Sequence, residues 1–292
     1  MSGASSYVIE AGSSSGASDL TTFIVDAPAT TGMWRDVEPR RDIYIRVKAQ
    51  SAAGVGPASS ELRLEMPDFR DVIEALFLSN GPYAIPAGSR SPSSSMTGWA
   101  PGSTVAVRVP DAVTGAQFDA VDRAVAQLNS AIGDINLVIV RETLTRAEYN
   151  QRLPSGVTIL VNQGQCLQPD GAFAACASSS PLPVYQTSLI LMPTGSEGSL
   201  VWAHELGHAV GLRHLAPIFR IPNVQSIGLY SPYVPLMGTF AADIGDALVA
   251  APRVADLLFT DYELEAIRRV YQAGLRPGHT AADFAARGLI RP

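Results

Sequence analysis

The chain has 292 residues, enough to bury a full hydrophobic core and to hold one large or two smaller domains. Its net charge is −6, only 16% of residues are charged, and Lys and Arg are scattered, so there is no basic patch to neutralise a phosphate backbone and nucleic acid is not an expected partner. No apolar run reaches the length of about 18 residues that a membrane span needs; the region from Ala241 to Phe259 is broken by Asp243, Asp246, Arg253 and Asp256.

Residues 7 to 65 alternate in strand fashion between small-residue turns. The strands predicted are Tyr7-Val-Ile-Glu-Ala-Gly12, Thr21-Thr-Phe-Ile-Val25, Ile43-Tyr-Ile-Arg-Val-Lys-Ala-Gln50 and Leu62-Arg-Leu-Glu-Met66. That spacing suits part of an all-β sandwich. The run Tyr44-Ile-Arg-Val-Lys-Ala-Gln-Ser-Ala-Ala-Gly-Val-Gly-Pro-Ala-Ser-Ser-Glu61 resembles the last hairpin of a fibronectin type III domain. Only the later strands of that fold have counterparts, and Ile43 stands where its corner tyrosine would be. The module is therefore expected to be a partial β-sandwich over residues 1–67.

Pro67 ends the module. Asp68 to Leu78 places Val72, Ile73, Leu76 and Phe77 at helical spacing, which predicts a short docking helix, and a Gly/Pro/Ser-rich linker follows it, the two covering 68–98. An α/β order begins beyond it: a strand over Thr104–Val109, then an amphipathic helix over Gln117–Ile132 with Phe118, Val121, Val125 and Leu128 on one stripe. Further apolar strands are predicted at Leu137–Arg141, Val157–Val161 and Ser188–Met192. Cys166 and Cys176, the chain's two cysteines, lie ten apart in a Gly/Ala/Ser-rich loop. A local disulfide there would stabilise by about 2.5–3 kcal/mol in the chain-entropy model; a pair of free thiols is the alternative in a reducing compartment.

Residues 204 to 214 carry the chemistry: His204-Glu-Leu-Gly-His-Ala-Val-Gly-Leu-Arg-His214 holds three of the chain's four histidines. The proline-free, apolar stretch from Ser199 predicts a buried helix, in which Trp202 and Val210 are core residues. On it His204 and His208 are about 40° apart around the axis and about 6 Å along it, so both imidazoles reach one metal ion. Glu205 lies about 100° from His204, near enough to touch a water on that metal. A third ligand needs a change of direction. Gly211 supplies it, because glycine adopts the left-handed conformation that ends a helix, and His214 then swings onto the metal. Three neutral imidazoles leave a fourth position for water, the arrangement of catalytic rather than structural zinc.

This window matches HExxHxxGxxH, and the chain resembles the metzincin clan of zinc endopeptidases. Met237, in Tyr233-Val-Pro-Leu-Met-Gly-Thr239, is similar to the methionine turn that those proteins carry beneath the metal. The resemblance implies an α+β fold: a zincin catalytic domain over 99–275, with a twisted mixed sheet, an active-site helix and a C-terminal helix. It implies Zn²⁺ bound by His204, His208 and His214, Glu205 as general base, Gly211 and Met237 as structural support, and a peptide or protein substrate. It also implies that the strand before the zinc helix, residues 187–192, forms the sheet edge where an extended substrate pairs, although a simply buried strand fits those residues nearly as well.

The match has departures. Leu215 to Leu236 is longer than the connection in matrixin-like members, Thr239 replaces the tyrosine of astacin-like and serralysin-like members, and Leu215 fits neither pattern, so the family within the clan stays unassigned. No cysteine-switch segment is visible and nothing indicates calcium. Tyr230 and Tyr233 lie in the region of a second oxyanion donor, yet surface or core packing suits each of them better.

Thr260-Asp-Tyr-Glu263 opens a capping box for a helix through Tyr271, with Leu264, Ile267 and Val270 inward. Residues 276–292, including His279, have weak periodicity and read as a tail. Met1-Ser-Gly-Ala-Ser-Ser-Tyr7 lacks the basic and apolar segments of a signal peptide, so a secreted, cell-surface or periplasmic location is inferred from the domain types alone. Two other readings stand beside the peptidase: a non-catalytic, zinc-stabilised adhesion or polymer-binding protein, and a zinc site in which Glu263 replaces His214.

Overall fold

The computed structural model describes residues 3–29, 42–64, 69–78, 94–164, 166–167, 173–179, 183–193, 198–214, 237, 258–259 and 261–292. The described residues up to Phe69 form one compact unit, and those from Arg70 onward form a second.

The first unit is an antiparallel sheet of β1 (Ser6–Gly12), β2 (Thr21–Asp26), β3 (Ile43–Ser51), β4 (Gly54–Ala58) and β5 (Leu62–Leu64). The strand order is β2-β1-β3-β4, with β5 also paired to β3. Register explains the alternation in the sequence. Ile9 pairs with Phe23 and Val47, and Tyr7 with Val25 and Ala49, so one face is apolar. Glu10 lies opposite Arg46 on the other face and forms ion pairs with Arg46 at 3.1 Å and Lys48 at 2.5 Å. A second sheet, which the sandwich expectation requires, is not found among the described residues of this unit.

The second unit is mixed α/β. Its helix α1 (Phe69–Leu78) buries the predicted stripe Val72, Ile73, Leu76 and Phe77. The sheet contains β6 (Thr104–Val109), β7 (Asn136–Arg141), β8 (Gly156–Val161), β11 (Cys176–Ser179) and β12 (Thr187–Met192). A small hairpin, β9 (Cys166–Leu167) with β10 (Phe173–Ala174), precedes β11. The order in the five-stranded sheet is β11-β12-β8-β6-β7. All its pairings are parallel except β11 with β12. This corrects one expectation: residues 187–192 are not an edge. β12 is paired on both sides, and the antiparallel strand Cys176–Ser179 is the edge. The composition is consistent with this, since Leu189, Ile190, Leu191 and Met192 are all buried, as in a strand covered on both faces.

Helix α2 (Gly115–Ile132) packs against β7 and against α4 (Ser199–Ala209), which in turn covers β11 and β12. Its buried face is wider than the predicted stripe because Ala120, Ala124 and Ala131 join it, whereas Phe118 is half-buried beneath the Arg141 guanidinium, 4.6 Å from the ring centroid. A helix missed by periodicity, α3 (Arg146–Arg152), is seven residues long and is held by a Thr145/Glu148 capping box. Helix α5 (Asp261–Gln272) packs on α2 and buries Leu264, Ile267 and Val270 as predicted.

Residues 276–292 hold more structure than their periodicity suggests. They include α6 (Ala281–Ala286), and Phe284 is fully buried with its ring 6.2 Å from that of Phe77 on α1. Phe284→Ala is expected to destabilise the second unit by about 3–5 kcal/mol in urea unfolding. Arg291→Ala, which removes an exposed 3.3 Å ion pair with Asp71, is expected to change it by less than about 0.5 kcal/mol.

Candidate metal centre

Helix α4 ends because the backbone at Gly211 turns left-handed, with φ of +105°. The Leu212 N–H donates to the Gly207 carbonyl at 3.0 Å and the Gly211 N–H to that of His208 at 3.0 Å, the paired bonds that close a Schellman motif. No larger residue fits: a Cβ on Gly211 would collide with the Thr97 carbonyl. The Trp99 indole N–H satisfies the Ala209 carbonyl at 3.0 Å. After the reversal, the Arg213 N–H donates to the Leu76 carbonyl at 2.8 Å, and its guanidinium donates to the Ser95 carbonyl at 3.1 Å. The next residue is His214.

These bonds bring three imidazoles together. The Nε2 atoms of His204 and His208 are 3.0 Å apart, those of His208 and His214 are 3.0 Å apart, and those of His204 and His214 are 3.3 Å apart. The three are the group of possible metal-ligating side chains found among the described residues. Nitrogens bound to tetrahedral zinc at about 2.0–2.1 Å lie about 3.3 Å from one another, so the observed triangle fits that ion closely. The outer nitrogen of His208 supports the same reading. Its Nδ1 is 2.8 Å from the Leu212 carbonyl, which as acceptor fixes the proton on Nδ1 and leaves Nε2 a lone pair to offer. Burial, followed by the neighbouring His214, pushes the pKa of His208 down to about 4, so the ring is neutral.

Glu205 is buried beside them. Its Oε2 finds no hydrogen-bond partner among the described residues, while the Ala177 backbone N–H on β11 donates to its carboxylate. Burial pushes its pKa up to about 8, against the Ala177 bond, which lowers it. A cation at the three histidines acts in the same sense as that bond, favouring the charged carboxylate. A buried carboxylate oxygen without a partner is costly unless something polar meets it.

Met237 is fully buried, and its N–H donates to Glu263 Oε1 at 2.7 Å. It lies against α4 at Gly207, where a Cβ would run into the Met237 sulfur and crowd the Phe259 ring. Glu263 is thus engaged with the Met237 backbone and is not among the grouped metal-ligating side chains, which disposes of it as a substitute for His214. His279 is also elsewhere: its Nδ1 accepts from the Arg276 N–H at 2.9 Å and its carbonyl accepts from the Met96 N–H at 2.8 Å. Trp202 and Val210 are buried packing residues. Cys166 and Cys176 are joined by a disulfide with Cα atoms 6.1 Å apart. Leu215, Tyr230, Tyr233 and Thr239 lie outside the described residues.

Four contributors lie outside the spacing of the motif. Ala177 supplies a donor to Glu205, Leu212 a carbonyl to His208, Glu263 an anchor for Met237, and Gly207 the space that Met237 fills. Only Gly207 left a signal, a glycine within a helix, where its cost of about 1 kcal/mol relative to Ala asks for a packing reason.

No family model matches the chain, and no curated protein matches it. Among solved structures it is similar to High choriolytic enzyme 1, a hatching enzyme zinc-protease from Oryzias latipes (Medaka fish). The identity is 13% and the TM-score 0.29, over 58% of this chain and 89% of that one.

Gly211→Ala combines a disfavoured left-handed alanine with a backbone collision and is expected to cost about 2 kcal/mol or more in denaturant unfolding. Gly198→Ala, where a Cβ meets nothing within 4 Å, is expected to stay within about 0.5 kcal/mol.

Proposed function

We propose that the chain is a zinc-dependent endopeptidase of metzincin type, with His204, His208 and His214 as the metal ligands and Glu205 as general base. The observation that carries this reading is the triangle of three Nε2 atoms at 3.0–3.3 Å beside a buried Glu205 oxygen that has no partner among the described residues. A purely structural zinc site closes its fourth position with a protein ligand and has no use for an adjacent buried carboxylate. A bound zinc ion would supply Lewis acidity toward a water molecule and the carbonyl of the scissile bond.

The chain's own residues supply the rest. Glu205 takes a proton from the attacking water and returns it to the departing amine. The Ala177 backbone amide favours the charged form of that carboxylate. Met237, with Glu263 behind it, fills the space beneath α4. The substrate is a peptide or protein in extended form, paired along β11. That edge replaces the one expected from sequence, with backbone bonds giving affinity and alternate side chains giving selectivity.

The N-terminal unit is proposed to be one face of a fibronectin type III-like sandwich. Its order β2-β1-β3-β4 corresponds to the C′-C-F-G order of one sheet of that architecture. The disulfide supports a secreted, cell-surface or periplasmic setting. No described helix is long and apolar enough to cross a membrane.

The test is metal analysis of the purified chain joined to a peptide-library cleavage assay. One zinc per chain is expected, with cleavage abolished by a chelator and restored by zinc. Glu205→Ala should keep the zinc and lose about 10²–10⁴-fold in kcat, whereas His214→Ala should lose the zinc. Full cleavage by Glu205→Ala with zinc bound would sink the mechanism. Zinc without cleavage of any library member would favour the adhesion or polymer-binding reading.

A further inference from the structure

Helix α4 places His204 and His208, but His214 lies beyond its end at Ala209, and residues 210–214 belong to neither helix nor strand. Alongside that turn lies the segment 94–99, and the two run antiparallel in one register. The Trp99 indole N–H donates to the Ala209 carbonyl at 3.0 Å. Gly98 faces Val210 so closely that a Cβ on it would lie 3.2 Å from the Val210 carbonyl, and the Thr97 carbonyl fills the space beside Gly211. The Ser95 carbonyl receives the Arg213 guanidinium at 3.1 Å. Every residue from Ala209 to Arg213 except Leu212 thus meets this one segment.

The segment is held from behind by two other parts of the chain. Over 94–96 the partner is the C-terminal segment. The Ala281 N–H donates to the Ser94 carbonyl at 3.2 Å, the Met96 N–H to the His279 carbonyl at 2.8 Å and the Gly278 N–H to the Met96 carbonyl at 2.8 Å, with Ser95 bridged to Thr280. Over 97–99 the partner is the approach to β12. The Gly98 N–H donates to the Pro183 carbonyl at 2.9 Å, the Tyr185 N–H to the Gly98 carbonyl at 2.6 Å and the Tyr185 hydroxyl to Thr97 Oγ1 at 2.8 Å. Ser94, Met96 and Trp99 are buried. The segment forms no strand of its own, so its place depends on these flanking bonds.

We propose that residues 94–99 position the third ligand, His214, and that bonds from residues 278–281 hold them there, so that zinc affinity and docking of the C-terminal segment are coupled. This rests on the metal ligands of the peptidase reading and not on its chemistry. Zinc needs the three imidazoles at once. Two of them come with the helix, and the third comes only while the turn after Gly211 keeps its place against Thr97 and Ser95. Loosening 278–281 frees residues 94–96, and the turn loses its wall. By linkage the effect is reciprocal: an ion that draws His214 to His204 and His208 also tightens the bonds between 94–96 and 278–281. Groups beyond the ligands themselves set metal affinity by about 10–100-fold when they orient a ligand directly. Ser95, Thr97 and Trp99 are positioning residues, and the three histidines remain the ligands.

The experiment uses the full chain and its Ala281→Pro variant. Ala281 is the first residue of α6, a position that accepts proline, and Thr280 before it is already extended, with φ of −93° and ψ of 171°. The variant removes the N–H that meets Ser94, while the capping box of Thr280 and Asp283 keeps its partners. Zinc affinity, read by competition with a chromophoric chelator, is expected to fall about fivefold or more. Arg291→Ala, in the same C-terminal segment but paired with Asp71, should leave it unchanged. A second measurement needs no variant: zinc added to the parent chain should slow hydrogen exchange at Met96, Gly278 and Ala281 about fivefold or more, beyond any slowing in the β6–β7 ladder. Should the variant unfold, this exchange decides alone. Equal zinc affinity in folded Ala281→Pro, or exchange at those three amides that ignores zinc, overturns the proposal and leaves the metal reading standing. A parent chain that binds no zinc overturns both. Zinc bound without cleavage sinks the peptidase reading only, and the same two measurements still decide the coupling.

Discussion

The reversal of the backbone at Gly211 is the constraint on which the rest of the second unit depends. Two imidazoles one turn apart on a helix cost nothing to arrange, because helical geometry alone superposes them. The third has to come from outside the helix, and the chain has three residues in which to turn, cross the helix end and present His214. A left-handed glycine does this only if the neighbouring backbone makes room, and the Thr97 carbonyl occupies the volume where any side chain would go. The segment around residues 94–99, the end of α1 and the C-terminal helices are arranged around that point. Trp99 closes the helix end, Leu76 and Ser95 receive Arg213, and Met96 exchanges backbone bonds with Gly278 and His279.

A second physical theme is the cost of burying groups that want charge or solvent. Glu205, His204 and Glu263 are all buried, and each is treated differently. Glu263 is engaged by a backbone N–H from Met237, which makes it a strut. Glu205 has one bond from Ala177, and its Oε2 has no partner among the described residues, so its protonation is open to change. His204 shares its inner nitrogen's surroundings with two other imidazoles that cannot all donate to one another, an arrangement that a cation relieves. Two buried glutamates thus serve differently: Glu263 is engaged by the Met237 backbone, and Glu205 keeps an oxygen that meets no partner among the described residues.

The three clustered histidines and Glu205 were legible because their relation is local: fixed offsets on a helix, then a glycine. The helices α1, α2 and α5 and the strands β6, β7, β8 and β12 were legible for the same reason, since burial on one or both faces writes a period into the sequence. β11 was not. Cys176, Ala177, Ser178 and Ser179 are small, lack alternation and sit beside a Gly/Ala/Ser-rich loop, so nothing in them marks an edge strand. With no signal there, the edge expectation falls on β12, whose unbroken apolar run equally fits the interior strand that it is. α3 was visible in principle, through Thr145 and Glu148 three residues later, but seven residues give no period to detect. Glu263 resembles any other helical glutamate, because its partner is 26 residues away along the chain and only the fold brings Met237 to it.

The bond from Arg213 to Leu76 bears on what counts as the smallest self-sufficient piece of this chain. A conventional reading cuts after the linker and keeps everything from about residue 99 onward. Such a piece would lack α1, and with it the carbonyl that receives the residue before His214 and the ring that Phe284 packs against. The ligand-bearing turn would then end on an unsatisfied backbone N–H. Helix α1, which precedes the linker, is in this fold bonded to the turn that carries His214, so excision at the linker removes a backbone partner of the three-histidine cluster.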